Sequence, residues 1–200
     1  MKAKTIKALV LALCAVLLVV STVFATMAYL SSTTEVVKNT FTVGNVQITL
    51  DEAEVDEYGV EVANANRVIE NTYKLLPGHT YVKDPTIHVA EGSEACYLFI
   101  KVTNDIAAIE KSGKTVAEQL ATNGWTALDA NKGIYYKAAS IDARSAAIDV
   151  AVFSSITIDG KANVADYADK TITVQAYAIQ ADGFASATAA WTAAPLNAWN

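Results

Sequence analysis

The stretch Ala95-Cys-Tyr-Leu-Phe-Ile-Lys-Val102 carries apolar residues at almost every position and therefore needs burial on both faces. A short run of this kind is typical of a central strand in a β-sandwich. Residues 90–94 before it form a turn signal, and the preceding pattern Thr86-Ile-His-Val89 predicts a short neighbouring strand. Together these two strands predict the centre of a β-rich core.

Apolar and polar residues alternate in further segments on both sides of this centre. Strands are predicted at 40–50, where Gly44-Asn45 breaks the phase, and at 125–128, 133–137, 150–158 and 171–181. Pro77-Gly78 fits a type II turn, because proline presets φ at the first central position and glycine accepts a positive φ at the second. Strands at this spacing predict a mainly β fold, an antiparallel β-sandwich formed as one domain by residues 40–200.

One or two short helices are expected beside the strands. Thr115-Val-Ala-Glu118 has the spacing of a capping box, in which the threonine accepts a hydrogen bond from the backbone three residues on and the glutamate reaches back. Gly124 can end this helix. The alanine-rich segment 185–194, which includes Trp191, predicts a second short helix ahead of Pro195.

Composition and charge restrict the class of protein. The chain has 200 residues, 52% of them hydrophobic, which predicts a folded chain. Of its 15 basic side chains three lie in residues 1–28, whereas all 21 acidic side chains lie beyond them, so residues 29–200 carry a net charge of −9. This charge argues against a nucleic acid partner bound through a basic surface.

The N-terminus has the pattern of an export signal. Lys2, Lys4 and Lys7 are followed by an uncharged, largely apolar stretch at 8–30. The small residues Thr26 and Ala28 predict signal peptidase cleavage between Ala28 and Tyr29, with Ala25 as a second choice. The alternative is an uncleaved anchor, since the uncharged stretch is long enough to span a bilayer. We expect a signal peptide at 1–28, contact with the membrane only before cleavage, and a secreted or cell-surface product.

Three stretches, in this order, resemble one family of exported proteins. They are Ala28-Tyr-Leu-Ser-Ser-Thr-Thr-Glu-Val-Val-Lys-Asn-Thr-Phe-Thr-Val-Gly-Asn-Val-Gln-Ile-Thr-Leu-Asp-Glu52, Leu75-Leu-Pro-Gly-His-Thr-Tyr-Val-Lys-Asp-Pro-Thr86 and Glu91-Gly-Ser-Glu-Ala-Cys-Tyr-Leu-Phe-Ile-Lys-Val102. With the signal before them, they are similar to the TasA/CalY (camelysin-like) family of Gram-positive bacteria, whose signal peptides depend on a SipW-type signal peptidase.

The resemblance implies a jelly-roll-like sandwich that forms protein fibres of the extracellular biofilm matrix. In such fibres an extended N-terminal segment adds as a strand to the neighbouring subunit. The matching segment here is 29–39, in which Leu30, Val36 and Val37 would fill side-chain pockets while the backbone pairs with an open sheet edge. A head-to-tail contact of this kind propagates. The alternative is that residues 29–39 are only a linker to the first strand.

Enzyme functions find little support in the sequence, and we expect no catalytic residues, no metal site and no cofactor. Some family members carry the name of a metallopeptidase, but a zinc hydrolase usually offers two histidines one helical turn apart with a glutamate between them. His79 follows a turn, where its imidazole would bond to backbone, and His88 lies in a predicted strand, so the two could meet only across a hairpin. Cys96 in its apolar strand predicts a buried thiol with a raised pKa and little reactivity.

Two binding functions stay open as alternatives. The acidic side chains of 51–57 could gather calcium, although they lack the alternation of a calcium loop and fit a solvated acidic face better. Trp125, Trp191 and Trp199 could stack on sugars in a non-assembling glycan-binding module, but their scatter along the chain favours packing in the core and at its rim.

Overall fold

A computed structural model describes residues 45–193, and in that range the protein is mainly β. Its strands form three antiparallel sheets, accompanied by two short helices. The strands are β1 (Ile48–Asp51), β2 (Thr80–Val82), β3 (Thr86–Val89), β4 (Cys96–Asn104), β5 (Trp125–Asp129), β6 (Ile134–Lys137), β7 (Ile148–Ala151), β8 (Ser155–Thr157) and β9 (Ile172–Gln180), and the helices are α1 (Val116–Thr122) and α2 (Ala187–Ala193). The predicted mainly β fold with antiparallel strands and short helices is confirmed.

The three-stranded sheet has the order β1-β3-β7 and separates apolar from polar side chains row by row. In register, Leu50 faces Ile87, which faces Val150, and these apolar side chains point to the core. The neighbouring row, on the opposite face, places His88 directly beside Asp149. Because side chains alternate between faces along each strand, one side of this sheet is apolar and the other is polar.

The four-stranded sheet has the order β5-β6-β4-β9, so β4 is central as predicted. Its two faces are covered by different partners. Leu98 and Ile100 join the main apolar cluster, which also contains the core-facing residues of the three-stranded sheet. On the other face, Phe99 packs against Trp191 of α2, with ring centroids 4.8 Å apart. This burial on both faces explains why the sequence of β4 is apolar from Cys96 to Ile100 and again at Val102.

The strand predicted at 150–158 is in fact two strands in two sheets, because β7 ends at Ala151 and β8 begins at Ser155 and pairs with β2. The side chains of Gln119 in α1 and of Asn123, the residue that follows α1, bond to the backbone at this break. The Gln119 amide donates to the Ser155 carbonyl (2.8 Å) and accepts from the Ser154 N–H (3.1 Å), while Asn123 donates to the Val152 carbonyl (3.0 Å). These backbone groups bond to a helix instead of to a neighbouring strand, which ends the ladder.

The predicted turn and helix signals are confirmed. Gly78 has φ +75°, and the N–H of His79 donates to the carbonyl of Leu76, as a type II turn requires. Thr115 and Glu118 form the capping box of α1. The helix predicted at 185–194 is present as α2.

Several predictions fall on residues that the structure does not describe. These are the signal peptide at 1–28 with its cleavage between Ala28 and Tyr29, the segment 29–39 with Leu30, Val36 and Val37, and residues 40–44 of the first predicted strand. Between residues 45 and 193, no helix is long and apolar enough to cross a membrane.

Candidate functional site

Within residues 45–193, the outer edge of β9 is the longest strand edge that has no paired strand, so it is the best candidate for strand addition. Strand β9 pairs with β4 on one side, and no other strand of residues 45–193 pairs with its second side. The N–H of Ala181 donates to the carbonyl of Ala95 (2.7 Å), and the N–H of Asp105 donates to the carbonyl of Thr171 (3.0 Å), so odd-numbered residues bond to β4. In an antiparallel ladder the residues between them then point their N–H and C=O groups away from the paired strand, here β4. Those outward residues are Ile172, Val174, Ala176, Ala178 and Gln180.

The side chains of β9 anchor this edge in the core. Val174, Ala176 and Ala178 pack against the main apolar cluster, and Ile179 packs against the cluster beneath α2. The strand contains no proline and no charged residue. Charge and proline are the usual means by which proteins protect an edge strand from pairing with another chain. The edge is therefore anchored, neutral and long enough to accept an added strand.

A second notable feature is a charged cluster on the polar face of the three-stranded sheet. His88 lies between two carboxylates: its Nε2 is 2.9 Å from Oδ1 of Asp51 on β1, and its Nδ1 is 2.6 Å from Oδ1 of Asp149 on β7. Both ring nitrogens can donate only when the imidazole is protonated. His88 therefore links the three strands of the sheet most strongly in its charged form.

The pKa values of the cluster follow from this geometry. Partial burial favours neutral His88, but hydrogen bonds and charge from Asp51 and Asp149 outweigh it and raise the pKa of the imidazole above its usual value. The pKa of Asp51 is lowered, because hydrogen bonds from Arg67 and His88 outweigh the effect of burial. The cluster therefore favours an ion pair between His88 and Asp51.

Arg67 and Lys83 extend the ion pairs around the end of β1. Arg67 contacts the Asp51 carboxylate through Nε and binds Oδ2 of Asp84 through Nη1 (2.8 Å). Lys83 lies 2.5 Å from Oε2 of Glu52, and both of these side chains are largely buried. The acidic side chains of 51–57 are expected from the sequence to form a solvated face. This expectation is wrong for Asp51 and Glu52, which pair with cationic side chains of the same chain.

The remaining acidic side chains of that stretch, Glu54, Asp56 and Glu57, are exposed. Asp56 caps a turn, since its Oδ1 accepts from the N–H groups of Tyr58 and Val60, at 2.9 Å each. Within the described part of the chain, no group of three or more histidine, cysteine, aspartate or glutamate side chains has an arrangement that could hold a metal ion.

The two histidines have separate roles. His79 follows the Pro77-Gly78 turn, and its Nε2 is 2.7 Å from the carbonyl oxygen of Tyr58, which confirms the prediction that its imidazole bonds to backbone. Its ring packs edge-on against Tyr81, with centroids 4.6 Å apart. His88 bonds to Asp51 and Asp149, so the two imidazoles are committed to different neighbours.

Cys96 and Trp125 are core residues, and Trp191 is a half-buried residue that packs against the second apolar cluster. Cys96 is fully buried, and burial raises the pKa of its thiol to about 11, as the sequence predicts. Trp125 is 4% exposed, and its indole N–H donates to the carbonyl of Ala151 (3.1 Å). Trp191 packs on Phe99. Packing is therefore confirmed for Trp125 and Trp191, and Trp199 lies outside the described residues.

Sequence reasoning missed the partners of His88 and the open edge of β9. A partial signal was present: in Thr86-Ile-His-Val89 the histidine falls on the polar face of the strand. Nothing in the sequence indicates that Asp149 and Arg67 come near that face.

Comparisons with models of protein families, with curated proteins and with solved structures found no match to this chain.

Proposed function

We propose that this protein is a secreted structural component of the extracellular matrix that assembles into fibres by strand addition. In this proposal a SipW-type signal peptidase cleaves between Ala28 and Tyr29, and residues 29–39 of one subunit pair with the outer edge of β9 of the next. The observation that carries the proposal is the row of outward backbone groups along β9, a neutral edge without proline. Main-chain hydrogen bonds give such an added strand its affinity.

The same proposal includes a jelly-roll-like sandwich and an absence of enzymatic function. The sandwich is supported by the shared apolar cluster, to which both the three-stranded and the four-stranded sheets contribute side chains. A structural role is supported by the roles of the titratable groups: Cys96 is buried with a raised pKa, and His88 is occupied by two carboxylates. The partners in this proposal are further copies of the chain and the signal peptidase, with no nucleic acid.

Negative-stain electron microscopy of the chain starting at Tyr29, incubated for days at neutral and mildly acidic pH, tests the proposal. Acidic pH neutralises part of the −9 charge and lowers repulsion between subunits. We expect regular filaments from this chain and none from a chain that lacks residues 29–39. Persistent monomers of the chain that starts at Tyr29 would favour the alternative, a non-assembling surface binding module.

A substitution on β9 tests the receiving edge directly. Ala176 points its N–H outward, so Ala176→Pro removes a donor that β4 does not use and places a ring where an added strand would lie. We expect a folded monomer that does not extend filaments. Gln175→Ala, a change in an exposed side chain of the same strand, is the matched control and should assemble normally. Normal filaments from Ala176→Pro would place the contact elsewhere.

A further inference from the structure

The segment 54–62, called here the acidic hairpin, presents apolar side chains to solvent. The N–H of Val62 donates to the carbonyl of Glu54 (2.9 Å), and the N–H of Asp56 donates to the carbonyl of Val60 (3.0 Å). Val62 thus lies opposite Glu54 and Val60 opposite Asp56, and residues opposite each other in an antiparallel pair share a face. Val60 is 61% exposed and Val62 is 44% exposed. One face of the hairpin therefore combines two exposed valines with two exposed carboxylates.

The hairpin is held rigidly against the rest of the protein. The carbonyl of Gly59 accepts from the N–H of Val82 on β2 (3.0 Å), and the carbonyl of Glu57 accepts from the N–H of Lys74 (2.7 Å). Gly59 has φ +74°, and a Cβ at this position would lie 2.7 Å from the Cα of Tyr81. Because this close packing already fixes the backbone, a partner that binds the valines orders little additional chain.

The charge around the valines indicates the chemistry of the partner. Glu54, Asp56, Glu57 and Glu61 are exposed, and none of the ion pairs within residues 45–193 includes them. A second copy that meets this face with its own acidic hairpin is a poor occupant, since the contact would bring the same exposed carboxylates together. Cationic side chains on a partner would instead meet carboxylates that form no ion pair within residues 45–193, beside an apolar surface.

We propose that the exposed face of the acidic hairpin binds a cationic polypeptide segment of another protein, one that carries both apolar side chains and lysines or arginines. The partner's apolar side chains bury Val60 and Val62, and its cations pair with Glu54 and the neighbouring carboxylates. This contact uses side chains, whereas the proposed assembly contact uses the backbone of β9. The hairpin interaction therefore goes beyond fibre formation and does not depend on it.

Titration of the folded chain with a soluble peptide of alternating lysine and valine, followed by NMR chemical shifts, tests this proposal. We expect shift changes concentrated in residues 54–62, and binding that weakens as salt screens the charges. Val60→Ser combined with Val62→Ser should weaken binding about tenfold or more. Both side chains are exposed, so this variant should fold normally, which a thermal melt verifies.

Matched controls separate the proposal from general attraction to an acidic protein. Ile69→Ser removes an apolar side chain that is 88% exposed but lies outside the hairpin, and binding should stay unchanged. A lysine–serine peptide should bind more weakly, and a glutamate–valine peptide should not bind. Equal binding of the lysine–serine peptide, or equal losses in the Ile69 and valine variants, would overturn the proposal. Self-association that needs Val60 and Val62 would also overturn it and assign the face to a second copy.

Discussion

The end of β1 and the edge of β9 are both margins of a sheet, but they differ in backbone pairing and in charge. Directly after β1, Glu52 exchanges two backbone hydrogen bonds of 2.8 Å with Val68, and Arg67 and Lys83 pair with the carboxylates around it. In the described residues no strand pairs with the second side of β9, which contains no charged residue, although β1 lies close to β9. The first margin is closed by the chain's own backbone bonds and charges, whereas the second has no strand paired with it in residues 45–193.

The largest expected effect is on the free energy of unfolding, and it comes from the buried ion pair between Lys83 and Glu52 beside β1. Lys83→Met leaves the Glu52 carboxylate buried without its cation, and we expect a loss of about 3 kcal/mol in the free energy of unfolding, because an unpaired buried charge is costly. Chemical denaturation measures the loss. The double variant Glu52→Gln with Lys83→Met is the control and should recover much of the stability. A loss below about 1 kcal/mol in the single variant would show that water reaches Glu52.

A smaller, pH-dependent effect is expected at His88. The pKa of its imidazole in the folded state is raised above the usual 6.5. Charged His88 therefore stabilises the folded state fully below pH 6.5, and this stabilisation is lost as the pH rises through the folded-state pKa. Asp51, Asp149 and Arg67 are the charged groups around it. We expect the stability difference between the wild type and His88→Gln to be about 1 kcal/mol larger near pH 6 than near pH 9.

Denaturation midpoints of the wild type and His88→Gln, measured between about pH 6 and pH 9, give this difference in stability. Asp149→Asn is the matched control. The Asp149 side chain is more exposed than that of Asp51, so its removal should have a weaker effect than Asp51→Asn. A pH-independent difference between the wild type and His88→Gln would mean that the imidazole has the same pKa in the folded and the unfolded protein, and would contradict the raised pKa.

The features that sequence predicts correctly depend on neighbours along the chain. The apolar run of β4 and the Pro77-Gly78 turn are encoded by adjacent residues. The capping box of Thr115 and Glu118 spans only three residues. In each case the local backbone preference and the pattern of burial agree, so no information about distant contacts is needed.

The features that the sequence leaves open depend on contacts between distant segments. His88 and Asp149 are 61 residues apart and meet only because β3 and β7 pair in one register. Similarly, the 150–158 run is apolar enough for one strand, but the backbone groups of residues 154 and 155 form hydrogen bonds with the Gln119 side chain. The openness of β9 is also a property of the sheet order, which periodicity within one strand cannot reveal.

Amide hydrogen exchange compares the end of β1 and the edge of β9 directly, in the protein without any substitution. In monomers of the chain starting at Tyr29, the outward amides of Val174, Ala176 and Ala178 should exchange about a hundredfold faster than those of Thr173 and Gln175, which bond to β4. At the closed margin, the amides of Glu52 and Val68 should be protected despite their position beside an edge strand. On assembly the outward amides of β9 should become protected, because an added strand accepts their hydrogen bonds. Protection of these amides already in the monomer would mean that another segment of the same chain covers β9, and fibre growth would then require that segment to leave first.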